Sequence, residues 1–129
     1  MSNSIEVWAD GATVRTNPGV GTWGVFVRTS DYDLCFYGIL GVVSNNYAEL
    51  VSILKAFHFL ELLGLRGVTV YTDSDLCHGL ICRGFTNKKN KELVEAAKQL
   101  CTYLQVDLQH TPSKMNKAHI PAQKAKKLL

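Results

Sequence analysis

Val68-Thr69-Val70-Tyr71-Thr72-Asp73-Ser74 decides how this chain folds. Val68 to Tyr71 is a short apolar and β-branched run, too brief for a helix, and it sits between two stretches of helical periodicity. Ahead of it, Leu50, Ile53, Leu54, Phe57, Leu60 and Leu63 recur at helical spacing until Gly64 supplies a stop signal. Behind it, the pattern predicts a short helix over Ser74 to Cys82, an amphipathic helix over Lys91 to Tyr103, and an alternating strand over Gln105 to His110. Further out, the chain opens with strands over Ile5 to Ala9, Thr22 to Arg28 and Leu34 to Leu40, separated by turns at Asn17 to Gly21 and Ser30 to Asp33. Strands first, then strands alternating with helices, imply an α/β mixed sheet whose later strands are parallel and joined by helical crossovers. A lysine-rich segment closes the chain.

With 129 residues, 47% of them apolar, the chain is expected to form one globular domain over residues 1–129, able to bury its own core. There is no repeat, linker or low-complexity stretch. Met1-Ser2-Asn3-Ser4-Ile5 lacks a basic region followed by an apolar run, and no stretch approaches the roughly 18 apolar residues of a membrane span. A cytoplasmic monomer with no membrane attachment is therefore expected. Cys35, Cys77, Cys82 and Cys101 show no Cys-x-x-Cys spacing and read as small buried hydrophobes rather than ligands or bridges. Charge is lopsided: residues 1–82 hold four Lys/Arg against eight Asp/Glu, residues 83–129 hold ten against three. An acidic half beside a basic half suits a polyanionic partner, with Arg83, Lys88, Lys89, Lys91, Lys114 and Lys117 as candidate phosphate contacts.

Asp10, Glu49 and Asp73 each sit where a strand end or a helix start should deliver a carboxylate to one shared place. Each also has a local alternative. Asn46 with Glu49 imitates a capping box, Asp73 could cap the helix beginning near Ser74, and Asp10 beside Gly11 could be a turn residue. Jointly they point to a divalent cation, because hard Mg²⁺ prefers oxygen ligands and clustered anions would otherwise repel. His58, between Phe57 and Phe59, reads as structural, and His78 as a helix-surface residue.

Five motifs lie in one order along nearly the whole chain: Asp10-Gly11; Asn17-Pro18-Gly19 followed by Gly21 and Gly24; Asn45-Asn46-x-Ala48-Glu49-Leu50; Thr72-Asp73-Ser74; and His110 with Asn116. In this the chain resembles the ribonuclease H family, of the ribonuclease HI type. The resemblance implies the ribonuclease H-like fold, a five-stranded mixed sheet with helices on both faces. It also implies an endonuclease that cuts the RNA strand of RNA/DNA hybrids with two Mg²⁺ or Mn²⁺ ions, leaving a 5′-phosphate and a 3′-hydroxyl. Asp10 would bridge both ions, with Glu49 and Asp73 completing their shells. Two other outcomes stay open: a binding module that has lost turnover, or a related nuclease acting on double-stranded RNA or branched DNA.

The chain departs from the family where its fourth acid belongs. Asn116-Lys117-Ala118-His119-Ile120-Pro121 holds no acid, so either His119 takes the ligand position or Ile120 does and the ligand is lost. A neutral imidazole can bind a metal, and related nuclease folds use a His at this corner, which favours a site of three carboxylates plus His119. Pro121 suggests that the terminal helix starts later than in the family. His110 matches the family's mobile histidine, suited to proton movement or product release. Gly11, Asn17, Asn45, Asn46 and Ser74 match positions that grip the hybrid, where the 2′-hydroxyl distinguishes RNA from DNA. Lys88, Lys89 and Lys114 are expected to contact phosphates. Asp75 stands where a glutamine is common. The short stretch between Cys82 and Lys91 leaves no room for the basic protrusion of some relatives, so binding should be weak and salt-sensitive.

Overall fold

A computed structural model describes residues 5–129. Its elements are β1 (Glu6–Thr13), β2 (Gly19–Arg28), β3 (Asp33–Val43), α1 (Asn45–Leu62), β4 (Thr69–Thr72), α2 (Asp75–Cys82), α3 (Lys91–Leu104), β5 (Asp107–His110), a 3-10 turn (Ser113–Met115) and α4 (His119–Lys126). The five strands form one sheet in the order β3-β2-β1-β4-β5. β1, β2 and β3 pair antiparallel, while β1–β4 and β4–β5 pair parallel. This is the mixed sheet that the strand and helix order predicts, with the five strands that the resemblance implies.

Alternation along the strands sorts the two faces. Val7, Ala9, Val25, Val27 and Val70 face Leu50, Ile53, Phe57 and Leu60 of α1, and α2 and α3 extend this core through Cys77, Leu80, Val94 and Ala97. On the other face a smaller cluster joins Trp8 and Phe26 to Ala118, at the entry to α4. Helices therefore flank both faces, three on one and α4 on the other. Among the described residues no helix is long and apolar enough to cross a membrane.

Several expectations are corrected by the structure. β1 does not end at Ala9 but continues through Asp10 and Gly11, because pairing with β2 persists from Asp10↔Gly24 to Thr13↔Gly21. Tertiary pairing here overrides the low strand preference of Asp and Gly. Asp10 is thus a strand residue, not a turn residue. α1 is capped by Ser44, whose side chain accepts the Tyr47 N–H at 3.1 Å, so Asn46 and Glu49 form no capping box. Ser74, not Asp73, caps α2, accepting the Cys77 N–H at 3.1 Å.

α4 begins at His119 despite Pro121. Pro121 is the third helical residue, where a backbone N–H has no partner within the helix anyway, so its absence costs nothing. His58 is exposed beside Glu61 rather than packed in the core. His78 is half-buried, its Nε2 donating to the Leu108 carbonyl at 2.8 Å, rather than at the surface. All four cysteines are free; Cys77 is buried, Cys35 and Cys101 half-buried, and Cys82 exposed.

Candidate metal centre

Asp10 and Asp73 stand just past Ala9 and Thr72, where the parallel pairing of β1 with β4 ends. Chain order departs from β1 in opposite directions there, towards β2 on one side and β4 on the other, and crevices of this kind are where open α/β sheets place ligands. Glu49 enters as the fifth residue of α1. Its approach depends on Gly11, where any Cβ would overlap the backbone of Ala48 and Glu49. The Gly11 N–H donates to Glu49 Oε1 at 2.8 Å. One carboxylate oxygen from each of Asp10, Glu49 and Asp73 then lies within 4.8 Å of the others.

Such proximity is electrostatically expensive without a cation. Burial, reinforced by repulsion from Asp73, pushes the Asp10 carboxyl up to about 6. Burial pushes Glu49 up to about 10, with Asp73 and Asp10 adding to it. Among the described residues no lysine or arginine pairs with any of the three; the one basic partner is His119, whose Nδ1 lies 3.6 Å from Asp10 Oδ2. Three half-buried oxygen donors of like charge, left uncompensated by the protein, fit a hard divalent cation.

The structure brings His119, and not Ile120, to the acids. Gly24 makes this possible, because α4 crosses β2 so closely that a Cβ at Gly24 would overlap the backbone of Ala118 and Ala122. The His119 side chain is 63% exposed, and its Nε2 lies 3.2 Å from Gln123 Nε2. His110 is exposed at the end of β5, in ladder register with Thr72, the residue before Asp73. Asp107 hydrogen-bonds to Gln109 and is not part of the acid cluster.

Motif residues on the rim are tied into the scaffold. Asn45 Oδ1 accepts from both the N–H and the hydroxyl of Thr13, at 2.9 and 2.8 Å, and Asn17 Oδ1 accepts the Asn45 N–H at 3.0 Å. Backbone donors force the oxygens inward, which leaves each NH₂ as a donor for something else. Asn46 is exposed in the first turn of α1, and Ser74 caps α2 beside Asp73. Lys88 and Lys89 are exposed in the α2–α3 connection, and Lys114 is exposed in the 3-10 turn. Arg83 is already committed, with its guanidinium 2.7 Å from Asp75 Oδ1 and stacked over Phe85.

Sequence reasoning undervalued Asn116. It is 4% exposed, and its Nδ2 donates to the Ala9 carbonyl at 2.9 Å and to Asp73 Oδ2 at 3.3 Å. Its Oδ1 accepts the Ala118 N–H at 3.0 Å. One side chain thus links β1, the Asp73 carboxylate and the entry to α4. The available signal was its spacing from His110, which marks a motif but does not say what the amide holds.

The sequence model of the RNase H family matches residues 2–126. A protein named Ribonuclease H from Ruthia magnifica is 35% identical over 72 residues, which cover 56% of this chain and 48% of that protein. The chain spans about half the length of several curated relatives it matches. Among solved structures, RNase H1 from the halophilic archaeon Halobacterium salinarum superposes with a TM-score of 0.85 at 21% identity, covering 97% of this chain and 98% of that one. LC11-RNase H1 in complex with an RNA/DNA hybrid superposes with a TM-score of 0.83 at 23% identity, covering 98% of this chain and 100% of that one.

Proposed function

The chain belongs to the ribonuclease H family, and from that premise we propose that it is a metal-dependent endonuclease hydrolysing the RNA strand of RNA/DNA hybrids. The convergence of Asp10, Glu49 and Asp73 carries the proposal. A structural neighbour solved with a bound hybrid supports the choice of substrate. Asp10, Glu49 and Asp73, with His119 Nδ1 beside Asp10, would hold divalent ions, Mg²⁺ or Mn²⁺, two in number on the family's scheme. When bound, such ions neutralise charge on the scissile phosphate, acidify an attacking water and stabilise the departing oxygen.

The remaining work falls to the protein's own groups. The Gly11 N–H holds one oxygen of Glu49, which leaves the other to turn towards the site. Asn116 fixes Asp73 in the same way. His110, exposed beside the acids' strand ends, exchanges protons with the departing 3′ oxygen or eases product release. The outward NH₂ groups of Asn17 and Asn45, together with Gly11, Asn46 and Ser74, read the 2′-hydroxyls of the RNA strand. Lys88, Lys89 and Lys114 hold phosphates, so affinity falls as salt rises.

Incubating the protein with labelled hybrid, duplex RNA and duplex DNA, each with Mg²⁺ or Mn²⁺, tests the proposal. Cleavage of the hybrid's RNA strand that vanishes in Asp10→Asn is the expected result. Binding without products, or preferential cutting of duplex RNA, would replace it.

A further inference from the structure

The sheet face that carries Asp10 and Asp73 continues past them. Two residues earlier on the same strands, and hence on the same face, stand Trp8 and Tyr71, stacked with ring centroids 5.2 Å apart and planes 24° from parallel. α4 lies over β2 and β3 and barely reaches β1. This leaves a groove of about 650 Å³ between the β1–β4 strip and the segment that leads into α4. Its floor is Trp8 and Tyr71, and its walls are Lys114, Met115, Lys117 and Ile120. Asn116 and His119 also line it, so it opens directly onto the metal centre.

The lining is chemically one-sided. No carboxylate belongs to it, and among the described residues neither Lys114 nor Lys117 is in an ion pair. The Lys117 ammonium sits 5.9 Å over the Trp8 ring. The Tyr71 hydroxyl donates to Glu6 Oε2 at 3.1 Å, which pins the accessible ring in place. Met115 and Ile120 are 62% and 51% exposed, large apolar side chains at a rim that is otherwise cationic. Trp8, 7% exposed, backs Tyr71, whose accessible ring beside the apolar Met115 and Ile120 takes a nucleobase by stacking, while two ammonium groups take the phosphates on either side of it.

We propose that this groove binds unpaired nucleotides that continue the RNA strand beyond the scissile phosphate, so that the preferred substrate is a hybrid with a single-stranded RNA extension. The placement of the strand rests on the ribonuclease reading above; the groove and its lining do not. Two strand residues separate the acids from the aromatic pair, roughly 6.7 Å along the sheet. A strand bound at the acids therefore has its neighbouring nucleotides at the groove mouth.

Dissociation constants for a short blunt hybrid, and for the same hybrid with several unpaired nucleotides at the 5′ or 3′ end of its RNA strand, test this with EDTA present so that nothing is cut. At least one extension should tighten binding about tenfold, the effect of stacking a base or two. In Tyr71→Ala, and in Met115→Glu, which places an anion at an exposed position without disturbing the fold, the ratio of blunt to extended constants should fall to about one. Equal affinities in the wild-type protein, or a ratio that survives Met115→Glu, would overturn the proposal. Cleavage with Mg²⁺ is scored separately. Tighter binding of extended hybrids without cleavage of any hybrid supports the groove and sinks the nuclease assignment, whereas cleavage without an extension effect does the reverse.

Discussion

The two corners of the metal centre are built in opposite ways. Asp10, Glu49 and Asp73 are half-buried and held by a strand, a helix and a strand that share the main core, and Glu49 is fixed by the Gly11 N–H. His119 lies across from them in the first turn of α4, largely exposed and without a side-chain cap beneath it. The walled corner is preorganised, and its cost is the burial, reinforced by mutual repulsion, that holds Glu49 near 10 and Asp10 near 6. The open corner carries little of that cost. Burial thus decides where charge is stored in the folded protein, and exposure decides where the ligand set can vary.

The largest expected effect comes from Glu49→Gln, which attacks the walled corner. Activity on the hybrid should fall by at least about 10²–10³-fold, the scale of losing one fixed electrostatic partner of the reaction. Metal-free stability should move the other way. A carboxyl whose folded value is raised binds its proton more tightly folded than unfolded, so its contribution is full below about 4.5 and is lost as pH rises towards 10. Glutamine has no such loss and still accepts from Gly11. At pH 8 without metal the variant should therefore be more stable by roughly 1–4 kcal/mol, since each unit is worth about 1.4 kcal/mol, and the advantage should disappear near pH 4. Denaturant melts at both pH values check this; an unchanged difference between them would mean that Glu49 is ionised in the metal-free protein.

Metal binding should itself release protons. With Glu49 at about 10, Mg²⁺ binding at pH 7 should displace close to one proton, because a ligand carboxylate must be ionised. Calorimetry in buffers of different ionisation enthalpy measures that number, and a value near zero would break the contrast between the corners.

His119 probes the open corner. His119→Ala should lower activity by roughly 10–100-fold, the usual range for weakening metal affinity. His119→Asp should keep or raise it, because a carboxylate restores the family's ligand type at a solvated position. Equal rates in both variants and the wild type would remove His119 from the site.

How much of this was legible follows the same division. The core strands, α1, α2 and α3 were readable because apolar periodicity is a local record of which side faces inward, and Gly64 and Ser74 mark boundaries with ordinary turn and cap chemistry. The three acids were readable as a set only through motif order, since each also fits a local role; the structure gives the two capping roles to Ser44 and Ser74 and makes Asp10 a strand residue rather than a turn residue. The extension of β1 through Asp10 was not readable, because it depends on pairing with Gly21 to Gly24 rather than on its own residues. The choice between His119 and Ile120 was not fixed by spacing either; it depends on how closely α4 can cross Gly24. The open β1–β4 groove has no local signal at all, being set by where α4 lies.

Asn116 stands between the two corners, and its replacement should have the smallest of these catalytic effects while reporting on both. Alanine there leaves the Ala9 carbonyl without its buried donor, frees one oxygen of Asp73, and removes the acceptor for the Ala118 N–H that starts α4. Unpaired buried groups of this kind cost about 1–3 kcal/mol. Asn116→Ala should therefore lower stability by that amount and activity by roughly 10-fold, the lower end for a residue that orients a ligand rather than being one. A purely structural role would leave the Mg²⁺ concentration at half-maximal rate unchanged in the folded fraction. A positioning role raises it, because Asp73 and His119 each lose a constraint. Asn116→Asp should be worse than alanine, since a carboxylate offers no donor to Ala9 and adds a fourth carboxyl beside Asp73, where burial and the neighbouring acids already push Glu49 up to about 10.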